Sequence, residues 1–103
     1  MEPRIPLDYE RIKAFCEKWK IVEFSLFGSV LTDEFRPDSD VDVMVEFAEG
    51  TWRTLADLDD IEEELSKIIG RQVDLSTKPS IEFMQNRTRR NSILRGSRIF
   101  YAA

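Results

Sequence analysis

The sequence predicts a small α/β (α+β) domain in which helices pack on a mixed sheet of three or four strands. Three observations support this class. The 103 residues are enough for one hydrophobic core. Helical and strand spacings of apolar residues alternate along the chain, and Gly and Pro separate the segments. We therefore expect one domain over 1–103, with the element order α-β-α-β-α-β-α and a possible fourth strand.

The first part of the chain predicts a helix, a strand and a short helical turn. Residues 8–20 place apolar side chains at spacings of three and four, as in an amphipathic helix. Residues 21–27 are rich in β-branched and aromatic side chains and end at Gly28, which is typical of a strand. One or two helical turns over 29–35 are expected to end there, because Pro37 disfavours helical geometry in the residue before it.

The second part predicts two more strands and two long helices. Between 41 and 47 the valines alternate with polar or acidic residues, so this strand should have one apolar face and one face that carries carboxylates. The helix that follows, marked by apolar residues from Leu55 to Ile68, should end at Gly70. The remaining elements are a third strand over 71–77, a last helix from 79 to about 94, and a candidate edge strand at 99–101.

Residue composition excludes several kinds of site. The chain contains one cysteine, Cys16, and no histidine. An internal disulfide is therefore impossible, and a zinc site or a histidine-activated nucleophile of the ordinary kind has no ligands. Residues 1–7 lack the apolar stretch of a signal peptide, and no run is long enough to span a membrane. We expect a cytoplasmic protein whose chemistry depends on carboxylates, hydroxyls and cations.

Charge is distributed unevenly along the sequence. Residues 1–70 contain 8 Lys and Arg against 18 Asp and Glu, whereas residues 71–103 contain 7 against 2. The corresponding net charges are −10 and +5. A basic segment suits an anionic ligand or a partner surface, and it is equally compatible with a solvated helix face.

Asp40 and Asp42 are two carboxylates in a segment that otherwise resembles a buried strand. Strand residues separated by one lie on the same face, roughly 6 to 7 Å apart, so their like charges repel unless a cation lies between them. Magnesium is commonly held by one or two carboxylates together with substrate phosphates. If the third strand lies beside the second, Asp74 would complete a three-carboxylate cluster able to hold two magnesium ions.

A Gly-Ser pair precedes these aspartates. Gly28 lets the backbone approach a phosphate closely, and the N–H groups at the start of the following short helix can bind an anion. Ser29 can donate its hydroxyl to the same phosphate. Each feature alone is more often a simple turn or a solvated strand end. Their combination in this order favours a nucleotide and metal site.

The combined pattern resembles the minimal nucleotidyltransferases of the DNA polymerase β superfamily. That family's signature is Gly-Ser, ten intervening residues and Asp-x-Asp, matched here by Gly28-Ser29 and Asp40-Val41-Asp42. The resemblance extends over nearly the whole chain and includes the segments "RPDSDVDVMVEF" and "QVDLST".

The resemblance implies a role for each site residue and a polymerase β-like fold. Asp40 and Asp42 would bind magnesium, as two ions, and Asp74 would be the third carboxylate, which also helps to activate the acceptor hydroxyl. Gly28 and Ser29 would hold the phosphates of the nucleotide. The reaction implied is attack of an acceptor oxygen on the α-phosphate of a nucleoside triphosphate, with pyrophosphate leaving.

The resemblance also implies partners. Stand-alone proteins of this size resemble the antitoxin of a toxin–antitoxin pair, which adds AMP from ATP to a tyrosine of a HEPN-type ribonuclease toxin. We expect such a toxin as the partner, a homo- or hetero-oligomer as an open possibility, and no direct binding to nucleic acid or membrane. Small relatives often have arginine after the Gly-Ser pair. This chain has Val30, so that phosphate contact is either lost or supplied elsewhere.

A different class of function competes with the enzyme. A catalytically weak or inactive binding module could neutralise the toxin by forming a complex with it. The presence of all three carboxylates and the Gly-Ser pair favours the enzyme. For docking on the partner the sequence favours Phe100 and Tyr101 with the arginines of the last helix, whereas Trp19 and Trp52 are expected in the core and at a helix start.

Overall fold

A computed structural model describes residues 5–103 and confirms the predicted α/β class. Residues 1–4 lie outside the described residues, so the predicted single domain of 1–103 stays a prediction. The elements in chain order are α1 (Tyr9–Trp19), β1 (Ile21–Phe27), a 3₁₀ turn (Gly28–Leu31), β2 (Val41–Phe47), α2 (Leu55–Ile69), β3 (Val73–Thr77), α3 (Lys78–Glu82), α4 (Arg87–Gly96) and β4 (Arg98–Ala102).

The four strands form one mixed sheet in the order β3-β2-β1-β4. β1 pairs antiparallel with β2 and β4, whereas β2 and β3 are parallel. A parallel pair needs a crossover connection, which α2 supplies. The candidate edge strand at 99–101 is confirmed as β4 at one edge of the sheet, and β3 lies at the other.

Local signals determine the ends of the two long helices. Asp8 caps α1 by accepting a hydrogen bond from the Arg11 N–H, and Thr54 and Asp57 form a capping box at the start of α2. α2 ends at Gly70, whose φ of 80° lies in the left-handed region, as predicted. Within residues 5–103, no helix is both long and apolar enough to cross a bilayer.

Apolar side chains cover both faces of the sheet. The main core lies on the side of α1 and α2 and includes Val41, Val43 and Val45, which are fully buried as the predicted alternation requires. On the other side, a smaller cluster joins β1, β2, α3 and α4 through Phe27, Met44, Ile81 and Ile93. The expected carboxylate face of β2 is therefore partly apolar, because α3 and α4 pack over Met44.

The structure overturns one expectation about the helices and shortens another. The predicted last helix over 79–94 is divided into α3 and α4, because the Asn86 side chain accepts a hydrogen bond from the Arg89 N–H and starts a second helix. The segment after β1 is a single 3₁₀ turn that ends at Leu31. Pro37 lies well beyond that residue and does not end the turn.

Burial contradicts three expectations about single side chains. Trp52, expected to pack at a helix start, is 91% exposed, and Leu55, counted on the apolar face of α2, is 82% exposed. Tyr101 is only 7% exposed, and Phe100 packs against the main core beside it. The predicted docking contact through Phe100 and Tyr101 is therefore largely interior. Trp19 packs against the main core, as predicted.

Candidate active site

The candidate site lies where β1 ends and β2 begins. Strand pairing places Phe27 opposite Asp42, and Asp42 opposite Asp74 on β3. Gly28 follows Phe27 directly. The expected pairing of β2 with β3 is therefore present. The Gly-Ser pair follows one end of a row across the sheet that consists of Phe27, Asp42 and Asp74.

Gly28 approaches the Asp42 carboxylate very closely. Its φ of +77° is in the left-handed region, which L side chains rarely adopt. A Cβ atom at this position would lie 2.3 Å from Asp42 Oδ2 and 3.3 Å from Asp42 Cγ. Both the backbone conformation and the available space therefore require glycine, and its backbone lies directly against the carboxylate.

The three aspartates differ in exposure, and the charges of two of them act on the third. Asp42 is half-buried, whereas Asp40 and Asp74 are exposed. Burial raises the pKa of Asp42, the negative charges of Asp74 and Asp40 raise it further, and the Arg89 guanidinium acts in the opposite direction. Asp40 lies just before β2, which begins at Val41. Asp40 and Asp42 are therefore not both strand residues, although the charge of Asp40 acts on Asp42.

The donor chemistry of the site suits magnesium bound together with a nucleotide. The aspartates offer oxygen ligands, and a cation would relieve their repulsion. No three His, Cys, Asp or Glu side chains in residues 5–103 converge on a ready-made metal site, so the three predicted carboxylates are not preassembled as a cluster. Magnesium does not need one, because one or two carboxylates hold it with substrate phosphates.

Two connected cavities lie between the sheet and α4. The first, of about 560 Å³, is lined by Gly28 and Asp42, and its volume is in the range of small-molecule sites. Its other lining residues are Phe27, Asn86, Thr88, Arg89, Ser92, Ile93 and Gly96. The second, of about 430 Å³, shares Gly28 with the first and is also lined by Ser29 and Arg98. Asp40 and Asp74 line neither of these two cavities.

The polar residues of α4 and its N-cap are site candidates that sequence reasoning missed. Asn86, Thr88 and Ser92 line the first cavity together with Arg89, which the sequence indicates only as part of the basic segment. Thr88 and Ser92 are four residues apart and therefore lie on one face of α4. That spacing is visible in the sequence, but the position of this face over Gly28 depends on the break between α3 and α4.

Comparison with known proteins relates the chain to one family. Residues 9–101 match the family model of the nucleotidyltransferase domain. The chain is 41% identical over 69 residues to "Putative protein adenylyltransferase MJ1379" of Methanocaldococcus jannaschii, and this alignment covers 67% of the chain and 69% of the relative. It is 36% identical over 70 residues to protein adenylyltransferase MntA of Thermococcus cleftensis, with 68% and 69% covered.

Solved structures share the fold. One described as a "putative minimal nucleotidyltransferase" aligns with a TM-score of 0.65 and 32% identity over 87% of this chain and 86% of that one. A toxin–antitoxin structure with AMP-PNP gives 0.71 at 15% identity over 94% and 75%. A complex of a tri-AMPylated Shewanella oneidensis HEPN toxin with an MNT antitoxin gives 0.62 at 16% over 92% and 70%. These likenesses confirm the predicted fold of a minimal nucleotidyltransferase.

Proposed function

Because the chain belongs to the nucleotidyltransferase domain family, we propose that it is a magnesium-dependent protein adenylyltransferase and acts as an antitoxin. ATP would be the nucleotide substrate, and a tyrosine of a HEPN-type toxin would receive AMP. The relative MntA, named a protein adenylyltransferase, supports this activity. The fold shared with the antitoxin of an AMPylated HEPN toxin supports the choice of partner.

One observation carries the proposal. The position of a Cβ atom on Gly28 would be 2.3 Å from Asp42 Oδ2, so the Gly-Ser turn and an acidic side chain meet at the wall of one cavity. In this proposal Gly28 and Ser29 hold the nucleotide phosphates, while Asp40 and Asp42, with Asp74 beside them, hold magnesium. Magnesium, when bound there, would supply positive charge to the phosphates.

The acceptor side of the reaction is assigned to Asp74. This carboxylate is exposed on the outer strand β3, where a side chain of a second protein can reach it. We propose that it accepts the proton of the tyrosine hydroxyl. The tyrosine oxygen then forms a bond to the α-phosphorus, the bond from that phosphorus to the oxygen bridging the β-phosphate breaks, and pyrophosphate leaves.

A protein acceptor fits the exposed apolar side chains of this chain. Trp52, Phe83 and Leu55 are 91%, 84% and 82% exposed, and aromatic residues such as Trp and Phe are enriched at protein interfaces. They replace Phe100 and Tyr101 as candidates for contact with the toxin. The cytoplasmic location and the oligomeric state stay predictions.

Co-expression with a HEPN-type toxin tests the proposal. Wild-type protein should protect the cells, and toxin recovered from them should carry AMP on tyrosine by mass spectrometry. The Asp40→Asn/Asp42→Asn double variant should lose both effects. Asp38→Asn, which changes an exposed aspartate of the same loop, should keep both and serves as the matched control.

The same experiment separates the enzyme from a binding module. If the protein only blocks its partner by binding it, the Asp40→Asn/Asp42→Asn variant should protect cells as well as the wild type does. Unmodified toxin held in a stable complex by wild-type protein, with ATP and magnesium present, would overturn the enzymatic proposal.

A further inference from the structure

Two arginines from the C-terminal part of the chain line the cavities beside the Gly28-Ser29 turn. Arg89 of α4 lines the first cavity and Arg98 of β4 the second, and Gly28 is common to both cavities. We propose that Arg89 and Arg98, one from each cavity, bind the outer phosphates of the nucleotide. The inference rests on the proposed function and adds to it the cationic contacts of the triphosphate.

The charge of the ligand requires such contacts. A nucleoside triphosphate is strongly anionic, and Asp42, which lines the first cavity, is anionic too. The turn itself supplies no cation, because Gly28–Leu31 contains no Lys or Arg. Phosphate groups are commonly bound by arginine through paired, charge-assisted hydrogen bonds. Any protein cation that binds the phosphates beside magnesium therefore comes from elements packed around the turn.

Arg89 has its guanidinium available for this task. Its backbone N–H is used in the Asn86 cap of α4, but in the part of the chain that the structure describes no carboxylate forms an ion pair with its side chain. It lines the same cavity as Gly28 and Asp42. A phosphate between Gly28 and α4 would therefore lie beside an arginine that feels the charge of Asp42 but forms no ion pair with a described acid.

Arg98 lines the second cavity together with Ser29. Its described side-chain contact is a long hydrogen bond of 3.5 Å to the carbonyl oxygen of the adjacent Ser97. Glu34 lines the same cavity, but no ion pair joins it to Arg98 within residues 5–103. The guanidinium can therefore turn toward a phosphate held at Ser29 without breaking an ion pair.

Two other arginines of α4 provide an internal contrast. Arg87 and Arg90 belong to the same helix and carry the same charge, yet they line neither cavity. If basic residues of this region only solvate the helix, all of these positions should respond alike to neutralisation. If the inference is correct, the effect should be confined to Arg89 and Arg98.

Calorimetric titration of the full-length protein with ATP and with AMP, both with magnesium, tests the inference. Arg89→Gln and Arg98→Gln should each weaken ATP binding by at least about tenfold, the usual effect of losing one charge-assisted hydrogen bond. AMP, which lacks the β- and γ-phosphates, should lose much less affinity. Arg87→Gln should bind both nucleotides like the wild type. Thermal unfolding should be unchanged in all three variants, because the side chains are exposed.

The possible results separate this inference from the proposed function. Wild-type protein that binds no ATP would overturn the proposed function and the inference with it. Wild-type binding with unchanged affinity in Arg89→Gln and Arg98→Gln would overturn the inference alone. Equal losses for ATP and AMP would also overturn it, since the arginines would then not act on the outer phosphates. Inorganic tripolyphosphate should compete with ATP in the wild type and less well in the two variants.

Discussion

Acidic residues lie opposite each other at two places in the sheet, and the two pairs differ in how their charge is balanced. Glu23 of β1 lies opposite Glu46 of β2, and Lys78 Nζ lies 3.3 Å from Glu23 Oε1 and 3.5 Å from Glu46 Oε2. Asp42 lies opposite Asp74 at the other end of β2. Within residues 5–103, no Lys or Arg forms an ion pair with either aspartate.

From this difference we propose that the glutamate pair serves the fold and the aspartate pair serves a ligand. One lysine of the same chain forms ion pairs with both glutamates, and hydrogen bonding to Glu23 together with the two negative charges raises the pKa of Lys78. The aspartates form no such ion pair within the described residues, and the charge of Asp74 adds to burial in raising the pKa of Asp42, which the Arg89 guanidinium only opposes. Residues that break a local rule of stability in this way are expected at functional sites. Both ends of β2 are therefore acidic, but among the described residues only the end at Glu46 has a cation in an ion pair.

The largest expected effect is the loss of AMP transfer when Asp40 and Asp42, at the start of β2, are both neutralised. Asp40→Asn/Asp42→Asn should lower the rate of AMP transfer at least about a hundredfold, because the groups proposed to hold magnesium are removed. The free energy of unfolding should stay equal or rise, since a repulsion is relieved. Transfer assays and urea unfolding measure the two effects.

The glutamate end supplies the control for that experiment. Glu46→Gln removes an acid from the same strand but should leave transfer unchanged. A double aspartate variant that still labels the toxin at the wild-type rate would show that the metal assignment is wrong.

The next largest effect is expected at Gly28, whose backbone lies against the Asp42 carboxylate. Gly28→Ala should lower the free energy of unfolding by about 2 kcal/mol, because the left-handed φ is strained for alanine and the new Cβ would collide with Asp42. Gly70→Ala shares a left-handed φ but would meet no atom within 4 Å. It should lose only about 1 kcal/mol, so urea unfolding of both variants isolates the cost of the collision.

A double-variant cycle sharpens the Gly28 prediction. Combining Gly28→Ala with Asp42→Ala should recover the part of the loss that comes from the collision. If Gly28→Ala loses the same free energy with and without the Asp42 side chain, the carboxylate does not determine the need for glycine.

A smaller effect, confined to ligand affinity, is expected at Ser29. Its hydroxyl makes no hydrogen bond within residues 5–103 that the structure describes, so Ser29→Ala should change thermal unfolding little. ATP affinity in the presence of magnesium should fall by about tenfold through the loss of one hydrogen bond to a charged phosphate. The reverse pattern, with lost stability and retained affinity, would indicate a capping residue instead of a ligand contact.

The smallest effect is expected at Lys78, which forms ion pairs with Glu23 and Glu46. Lys78→Met should cost about 0.5–1 kcal/mol of folding free energy, as is usual for a partly exposed ion pair, and high salt should reduce the difference. Because the pKa of Lys78 is raised in the folded state, its contribution is fully present below the ordinary lysine pKa and is lost as pH rises through the raised value. Unfolding of wild type and variant between neutral and strongly alkaline pH should therefore converge at the alkaline end, with transfer at neutral pH unchanged.

Elements with strong local signals could be predicted from the sequence. β1 occupies residues 21–27 as expected, because a run of β-branched and aromatic residues ends at a glycine. α2 ends at Gly70 for an equally local reason. The break at Asn86 was not predictable, since a polar residue within a helical stretch does not show by itself that a new helix starts there. Exposure of Trp52 depends on which elements pack nearby, and spacing alone does not contain that information.

Some features of the candidate site could likewise be predicted from the sequence, and others could not. The spacing of Gly28, Asp40 and Asp42 is a property of the sequence, and strand pairing then brings Asp74 beside Asp42. The cavity lining from α4 could not be predicted, because it depends on the docking of a helix about sixty residues farther along the chain. The functional roles of these residues stay predictions that the experiments above address.

The pairing of β4 with β1 has a consequence for the order of events during synthesis. β1 is an inner strand, yet one of its neighbours, β4 over Arg98–Ala102, leaves the ribosome long after it. A nascent chain that has emerged only as far as β3 already contains the aspartate row but lacks α4 and the β4 edge. Non-local pairing of this kind slows folding and leaves an unpaired strand edge open to aggregation until it is completed. The proposed antitoxin would therefore be prone to aggregation before it is active, and its nucleotide cavity would be the last feature to form.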